Sequence, residues 1–265
     1  MTKSILVLGA TGKTGRRVVS LLRDAGHPVL AASRSADVRF DWADESTWDI
    51  EGADSLYLVP PEDDLTPVQR FVPRIVARGV RRIVLLSGRG IEAFGESQLI
   101  AERAVRESTV DWTILRPAWF DQNFDEGFFR DPLLAGQLAL PVGQGREPFI
   151  DARDIADVAV AALTGSRHAG QIYELTGPRS LTFAEAVGIL AKSSGRDLRF
   201  TEVTLEEFDA AQVGAGFHPA LVKHLGELFD TIRRGEDEPV EDGVPRALGR
   251  PARSFEDYAA TVDFG

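Results

Sequence analysis

The sequence predicts an α/β fold: a doubly wound parallel sheet that carries a small, mainly helical C-terminal lobe. Three observations predict it. Ser4-Ile5-Leu6-Val7-Leu8 is an apolar run of strand length without polar alternation, as burial on both faces of a parallel sheet requires. The turn Gly9-Ala10-Thr11-Gly12-Lys13-Thr14-Gly15 follows, and after it Val18, Leu21, Leu22 and Ala25 fall at helical spacing until Gly26 stops them. Strand-length and helix-length patterns then alternate as far as Pro117.

Each step of that alternation has its own chemistry. In a strand, glycine turn and helix, the glycines let the backbone bend, and the helix N-terminus offers unpaired N–H groups and partial positive charge to a pyrophosphate. A phosphate-loop ATPase would need a further glycine five residues before Gly12, where Val7 stands. A turn that merely joins strand to helix is the plain alternative, but its place at the head of an α/β pattern favours a dinucleotide site built on Gly9, Thr11, Gly12, Lys13, Thr14 and Gly15.

Pro28 to Ala32 reads as the second strand, ending at Ser33-Arg34-Ser35. An acid at this point would bind the ribose hydroxyls of NAD, whereas Arg34, with Ser33 beside it, suits the 2′-phosphate of NADP, so NADP(H) is preferred over NAD(H). A solvated surface arginine is the alternative. Val38 to Trp42 is expected as a short third strand that brings Asp41 towards the adenine amino group. Asp54 to Val59 is the next strand, stopped by Pro60-Pro61 because proline cannot donate to a ladder. Its end places Val59 and Pro60 on the carboxyl edge of the sheet, where open α/β sheets bind ligands.

Thr66-Pro67 opens a helix whose apolar face is Val68, Phe71, Val72, Ile75 and Val76. Arg82 to Ser87 is a strand, Ser97 to Glu107 a helix, and Val110 to Leu115 a strand that ends at Arg116-Pro117. Residues 118 to 150 lose periodicity, and Trp119, Phe120, Asn123 and Phe128 suit a pocket wall of rings and an orienting amide. Core packing is the alternative for the same rings. Asp154 is the expected N-cap of a helix through Ala162, and Gln171 to Thr176 adds a strand to the main sheet. Beyond Gly177, Thr182-Phe183-Ala184-Glu185 and Thr204-Leu205-Glu206-Glu207 read as capping boxes, with a strand from Leu198 to Val203 between them. A helix runs from Pro219 to Gly235, a surface loop from Gly235 to Arg250 and a short helix from Ser254 to Val262. The chain thus reads as one nucleotide-binding unit over 1–265, with a core of about 1–123 plus 148–177 and a substrate lobe of about 124–147 plus 178–265.

Composition narrows the function. A formal net charge of −11 opposes non-specific binding to nucleic acid or anionic membrane, which needs clustered Lys and Arg. The absence of cysteine removes disulfides, thiolate metal sites and cysteine nucleophiles. His27, His168, His218 and His224 are scattered, no metal site is expected, and no Gly-x-Ser-x-Gly elbow occurs. Met1-Thr2-Lys3 leads straight into a strand, with no signal peptide or apolar run of membrane-spanning length, so the plain expectation is a cytoplasmic protein. Monomer and homodimer both stay open.

Gly9 to Gly15, Val59-Pro60-Pro61, Leu86-Ser87, Trp112-Thr113-Ile114-Leu115-Arg116-Pro117, Asn123 and Tyr173-Glu174-Leu175-Thr176-Gly177-Pro178 together resemble the NmrA-like atypical short-chain dehydrogenases over nearly the whole chain. The branch most resembled is that of the ergot-alkaloid reductases, such as festuclavine dehydrogenase and agroclavine synthase. The resemblance implies a Rossmann-type NADP(H)-binding domain with a small C-terminal lobe over the nicotinamide. It also implies that Gly12 to Gly15 hold the pyrophosphate and that Pro117-Ala118-Trp119-Phe120 border the nicotinamide. In this family the fold serves both reductases and redox sensors that bind the nucleotide without turnover.

One departure bears on chemistry. Ordinary short-chain dehydrogenases use a Tyr with a Lys four residues later, whereas Tyr57, Tyr173 and Tyr258 are followed at that distance by Pro61, Gly177 and Val262. A reductase without that pair suits an iminium carbon, a quinone or an activated alkene, none of which needs a proton at the moment of hydride transfer. Asp121, Asp125 and Glu126 are candidates to stabilise a bound cation, and Ser87 is the remaining polar candidate for proton donation or orientation. The expected function is therefore NADPH-dependent reduction of a small molecule, with a nucleotide-binding redox sensor as the rival.

Overall fold

A computed structural model describes residues 4–61 and 64–264, so Met1-Thr2-Lys3 lie outside the described residues. In chain order the elements are β1 (Ser4–Leu8), α1 (Lys13–Asp24), β2 (Val29–Ser33), β3 (Val38–Arg39), β4 (Ala53–Leu58), α2 (Thr66–Ala77), β5 (Arg82–Leu86), α3 (Ile100–Arg106) and β6 (Asp111–Pro117). Then come α4 (Arg130–Leu134), β7 (Gln137–Leu140), β8 (Arg146–Glu147), α5 (Ala152–Thr164), β9 (Gln171–Leu175), β10 (Leu181–Thr182) and α6 (Phe183–Ser194). The chain closes with β11 (Arg199–Glu202), α7 (Leu205–Gly214), α8 (Pro219–Arg233), α9 (Gly243–Leu248) and α10 (Phe255–Ala259).

Two compact units result. The first comprises residues 1–117, 152–175 and 242–251, and the second comprises 118–151, 176–241 and 252–265. The first holds a seven-stranded sheet in the order β3-β2-β1-β4-β5-β6-β9, parallel throughout. Strand order reverses direction at β1, between β2 and β4, which makes that edge the switch point where such sheets take ligands. Leu6, Leu8, Leu56, Leu58, Ile83 and Leu85 form one face, packed with Val68, Phe71 and Ile75 of α2 and Ala101 and Val105 of α3. The alternate residues Ile5, Val7, Tyr57 and Val84 are buried too and point to the opposite face by the period of two. Continuous apolar strands are the result of covering both faces.

The second unit is helical around two small sheets, β8 with β10 antiparallel and β7 with β11 parallel. Both expected capping boxes are present, at Thr182/Glu185 on α6 and Thr204/Glu207 on α7. A third, Ser254/Asp257, starts α10. The core of this unit is aromatic, with Phe124, Phe129, Phe183 and Phe229 completely buried.

Several elements differ from expectation for physical reasons. The third strand stops at Arg39, because Phe40 and Trp42 turn into an edge-to-face cluster with Trp48 and Phe71 at ring separations of 4.9 to 5.9 Å. The Trp42 indole donates to the Val59 carbonyl at 3.2 Å and the Trp48 indole to that of Asp41 at 3.0 Å. Asp154 is not an N-cap: α5 starts at Ala152, and the buried Asp154 carboxylate pairs with Arg250 at 2.7 Å. The stretch 235–250 is not all loop, since α9 buries Val244 and Ala247. Gly243 opens α9 because a Cβ there would lie 2.0 Å from the Glu174 carbonyl oxygen. The helix expected over 97–107 is confined to Ile100–Arg106. The strand β11 pairs with β7, which the sequence hid in an aperiodic segment of only four residues. No helix of the described residues is long and apolar enough to cross a membrane.

Candidate functional site

The glycine turn is built by backbone contacts. Gly9 has φ +63°, open to glycine and costly for other residues, and the Gly12 amide donates to its carbonyl at 2.9 Å. The Ala10 amide donates to the Ala32 carbonyl at 3.1 Å, which ties the turn to the end of β2. A Cβ on Gly15 would lie 2.1 Å from the Gly9 carbonyl oxygen, so only glycine lets α1 start this close to β1. Gly12 is the N-cap of α1 and brings no side-chain cap, and the first turn contains no acid. A helix N-terminus of that kind keeps its amides and partial positive charge for an anion, which is the fit a dinucleotide pyrophosphate requires. Thr14 is buried beneath the turn, whereas Thr11 is exposed on it.

The rim beside the turn carries the adenosine-end candidates. Ser33 ends β2, is buried, and its hydroxyl accepts from the Ser35 amide at 3.2 Å, while Arg34 is exposed. Asp41 lies just past β3, and one carboxylate oxygen accepts from the Ala43 amide at 3.0 Å. A cleft of about 420 Å³ opens next to Thr11, lined also by Arg16, Ser20, Arg23, Ala36 and Asp37. Arg16, Ser20 and Arg23 recur at helical spacing directly after Gly15, a signal the sequence offered and the motif obscured. Val59 and Pro60 follow β4 and are half-buried, and the Val59 side chain would stand 3.3 Å from a Cβ on Gly9.

At the carboxyl ends of β5 and β6 a polar cluster forms. Ser87 donates its hydroxyl proton to Glu102 at 2.7 Å, and its amide donates to the Leu115 carbonyl at 2.8 Å. Glu102 is 2% exposed and receives two guanidinium bonds from Arg116, at 2.8 and 2.7 Å. Arg116 also donates to Glu174 at 3.1 Å and contacts Glu92. Hydrogen bonds from Arg116 to Glu102 first, then to Glu174, hold the guanidinium well above its ordinary range. Burial pushes Glu174 up against the pull of Arg116, and its second carboxylate oxygen is buried without a partner. Pro117 is buried at the end of β6 and accepts from the Arg89 amide at 3.1 Å. Sequence reasoning singled out Ser87 as a candidate and missed its partner Glu102 and the Arg116 that holds Glu102.

The expected pocket residues fall in the second unit. Trp119 is half-buried and stacks on Phe129 and Phe229 at centroid distances of 5.8 and 5.4 Å. Phe120 bridges to Ile150, and Phe128 meets Phe129, Phe208 and Phe217 edge-on. Asn123 is half-buried and its amide donates to the Phe120 carbonyl at 3.0 Å. Phe124 and Phe129, by contrast, are core. Of the acids, Asp121 is completely buried and Asp125 accepts from the Tyr258 hydroxyl at 2.7 Å.

Two tyrosine hydroxyls are bonded within the structure, and that of Tyr57 is buried without a hydrogen-bond partner among the described residues. Tyr173 meets His168 Nδ1 at 2.9 Å, and burial followed by the neighbouring Asp125 pushes Tyr258 far up. Tyr57 is fully buried on β4, and burial raises it too, with Thr14 opposing. Among the described residues no group of three or more His, Asp or Glu is arranged to hold a metal.

Known proteins resemble this chain in sequence and share its fold. Residues 43–166 match a family model described as NAD(P)H-binding. The chain is 31% identical over 280 residues to the NAD(P)H azoreductase of Xenophilus azovorans, covering 96% of each chain. It is 31% identical over 278 residues to the agroclavine dehydrogenase of Claviceps fusiformis, covering 97% of this chain and 96% of that one. The crystal structure of Citrobacter sp. triphenylmethane reductase complexed with NADP(H) superposes with a TM-score of 0.80 at 23% identity, over 97% of this chain and 98% of that one, and so shares the fold. Full-length relatives of this kind mean that the chain belongs to the family of NAD(P)H-dependent oxidoreductases that includes the agroclavine dehydrogenases.

Proposed function

We propose that this protein is an NADPH-dependent reductase of a small molecule that is an imine or iminium, a quinone or an activated alkene. The observation that carries the reading is the glycine turn at the switch point, with Arg34 in place of an acid at the end of β2. Gly9, Thr11, Gly12, Lys13, Thr14 and Gly15 would hold the pyrophosphate through main-chain amides and the α1 N-terminus. Ser33 and Arg34 would take the 2′-phosphate, Asp41 the adenine amino group, and Val59, Pro60, Ser87 and Pro117 the nicotinamide nucleoside. Trp119, Phe120, Asn123 and Phe128 would receive the substrate, rings giving apolar area and the amide giving orientation.

When bound, NADPH supplies the hydride. The chain's contribution is positioning and exclusion of water, since the tyrosine hydroxyls are bonded or buried elsewhere. Substrates that carry positive charge on carbon, or that take their proton afterwards from water, match that provision.

The test is steady-state consumption of NADPH across a panel of iminium ions, quinones and enones. Turnover with one class supports the reductase. Silence across the panel, joined with unequal affinities for NADP and NADPH, would replace it with a redox sensor.

A further inference from the structure

Ser87 stands half-exposed at the end of β5, yet its one proton is already placed. A hydroxyl has a single donor and two acceptor lone pairs. Here the donor goes to Glu102 Oε1 at 2.7 Å. Glu102 cannot turn away from it: its carboxylate is 2% exposed and clamped by two Arg116 nitrogens at 2.8 and 2.7 Å. A fork of this kind fixes the plane of the carboxylate as well as its charge. Arg116 is fixed in turn by Glu174 at 3.1 Å and by its own burial to 9% exposure. The main chain of Ser87 is held independently, its amide donating to the Leu115 carbonyl at 2.8 Å. What Ser87 presents to its open side is therefore lone pairs, made more electron-rich by the bond to an anion.

We propose that Glu102, pinned by Arg116, is a positioning residue that fixes Ser87 as a hydrogen-bond acceptor for a donor on the nicotinamide nucleoside, either the carboxamide N–H or a ribose O–H. This rests on the nucleotide lying along the carboxyl edge of the sheet, as proposed above. It assigns Ser87 a binding and orienting role and removes it as the proton donor, because giving its proton to a substrate would leave an alkoxide facing a carboxylate.

The test uses the full chain and three probes: NADPH, its 3-acetylpyridine analogue, which lacks the carboxamide N–H donors, and an analogue lacking the hydroxyls of the nicotinamide ribose. Dissociation constants are measured for wild type, Ser87→Ala, Ser87→Thr and Glu102→Gln. Wild type should prefer NADPH over one of the two analogues by about tenfold, and that analogue identifies the donor. Ser87→Ala should abolish the preference by weakening NADPH alone, Ser87→Thr should retain it, and Glu102→Gln should reduce it, because the new amide can itself donate to Ser87. Tight NADPH binding with both ratios unchanged in Ser87→Ala would overturn the assignment. So would a Ser87→Ala variant that keeps the ratios and loses only turnover, which is the behaviour of a proton donor. Wild type that fails to bind NADPH at all would instead sink the cofactor reading on which the assignment rests. Ser87→Ala and Ser87→Thr leave the Glu102–Arg116 pair intact, so the ratios are measurable even if Glu102→Gln does not fold.

Discussion

The glycine turn and the Ser87–Glu102–Arg116 cluster both sit at strand ends of the same sheet, and they are built on opposite principles. The turn is made of main chain and tolerates no added atom. The cluster is made of charge in a nearly dry site and tolerates no missing partner. A steric site fails when something is inserted, and an electrostatic one fails when something is removed.

The largest effect should come from Gly15→Ala. Its Cβ would stand 2.1 Å from a carbonyl oxygen that belongs to the turn itself, so relief requires moving α1 or β1. Loss of NADPH binding together with about 4 kcal/mol of stability in urea unfolding is expected. A variant that binds and unfolds like wild type would show that the turn is looser than its geometry.

Next comes Arg116→Met. Removing the guanidinium strands Glu102 at 2% exposure, beside a Glu174 that burial already disfavours as an anion. Breaking a buried pair costs about 3–5 kcal/mol, and the lower end is expected here because Glu174 and Glu92 keep some access to water. The double variant Arg116→Met/Glu102→Met should recover part of the loss, since the carboxylate at 2% exposure is gone and only the more exposed Glu174 and Glu92 lose their partner. Additive losses in the double-mutant cycle would deny that the two residues act as a pair.

A smaller effect separates the two regions by pH. Burial raises the Glu174 carboxyl in the folded state, so the folded protein binds its proton more readily than the unfolded chain. Its contribution is fully present below the unfolded carboxylate value and is lost as pH rises through the folded one. The stability difference between Glu174→Gln and wild type should therefore shift in favour of the variant as pH rises from about 4.5, with the window ending at the folded value. Gly12→Ala, in the turn, should show no such slope. A flat difference for Glu174→Gln would mean that Arg116 cancels the burial.

The smallest effect expected is at His168. Burial, then Arg167 and Arg82, lowers its pKa, so its contribution is present above about 6.5 and lost as pH falls through the lower folded value. His168→Gln should flatten the acid limb of the stability profile in that range, and an unchanged limb would place the acid sensitivity elsewhere.

The same contrast explains what could be read from sequence. Gly9 to Gly15, the β1 run and the capping boxes are local, because their geometry is set by residues within a few positions of one another. Ser87, Glu102, Arg116 and Glu174 span 87 positions of chain, and no spacing rule joins a serine to a glutamate fifteen residues on. Glu102 in particular reads as an ordinary solvated helix acid until Arg116 is placed beside it. The aromatic segment was half legible: its rings are real, but Phe124 and Phe129 belong to core while Trp119 and Phe128 keep an exposed side. Short elements such as β7 and α9 escaped because tertiary pairing, not periodicity, makes them.

The central claim, that Arg34 and the glycine turn make an NADPH site, is tested most directly by titrating wild type and Arg34→Ala with NADPH and with NADH. Wild type should bind NADPH more tightly than NADH by at least about tenfold, and Arg34→Ala should erase that difference while leaving NADH affinity nearly unchanged. Equal losses for the two nucleotides, or equal affinities in wild type, would contradict it.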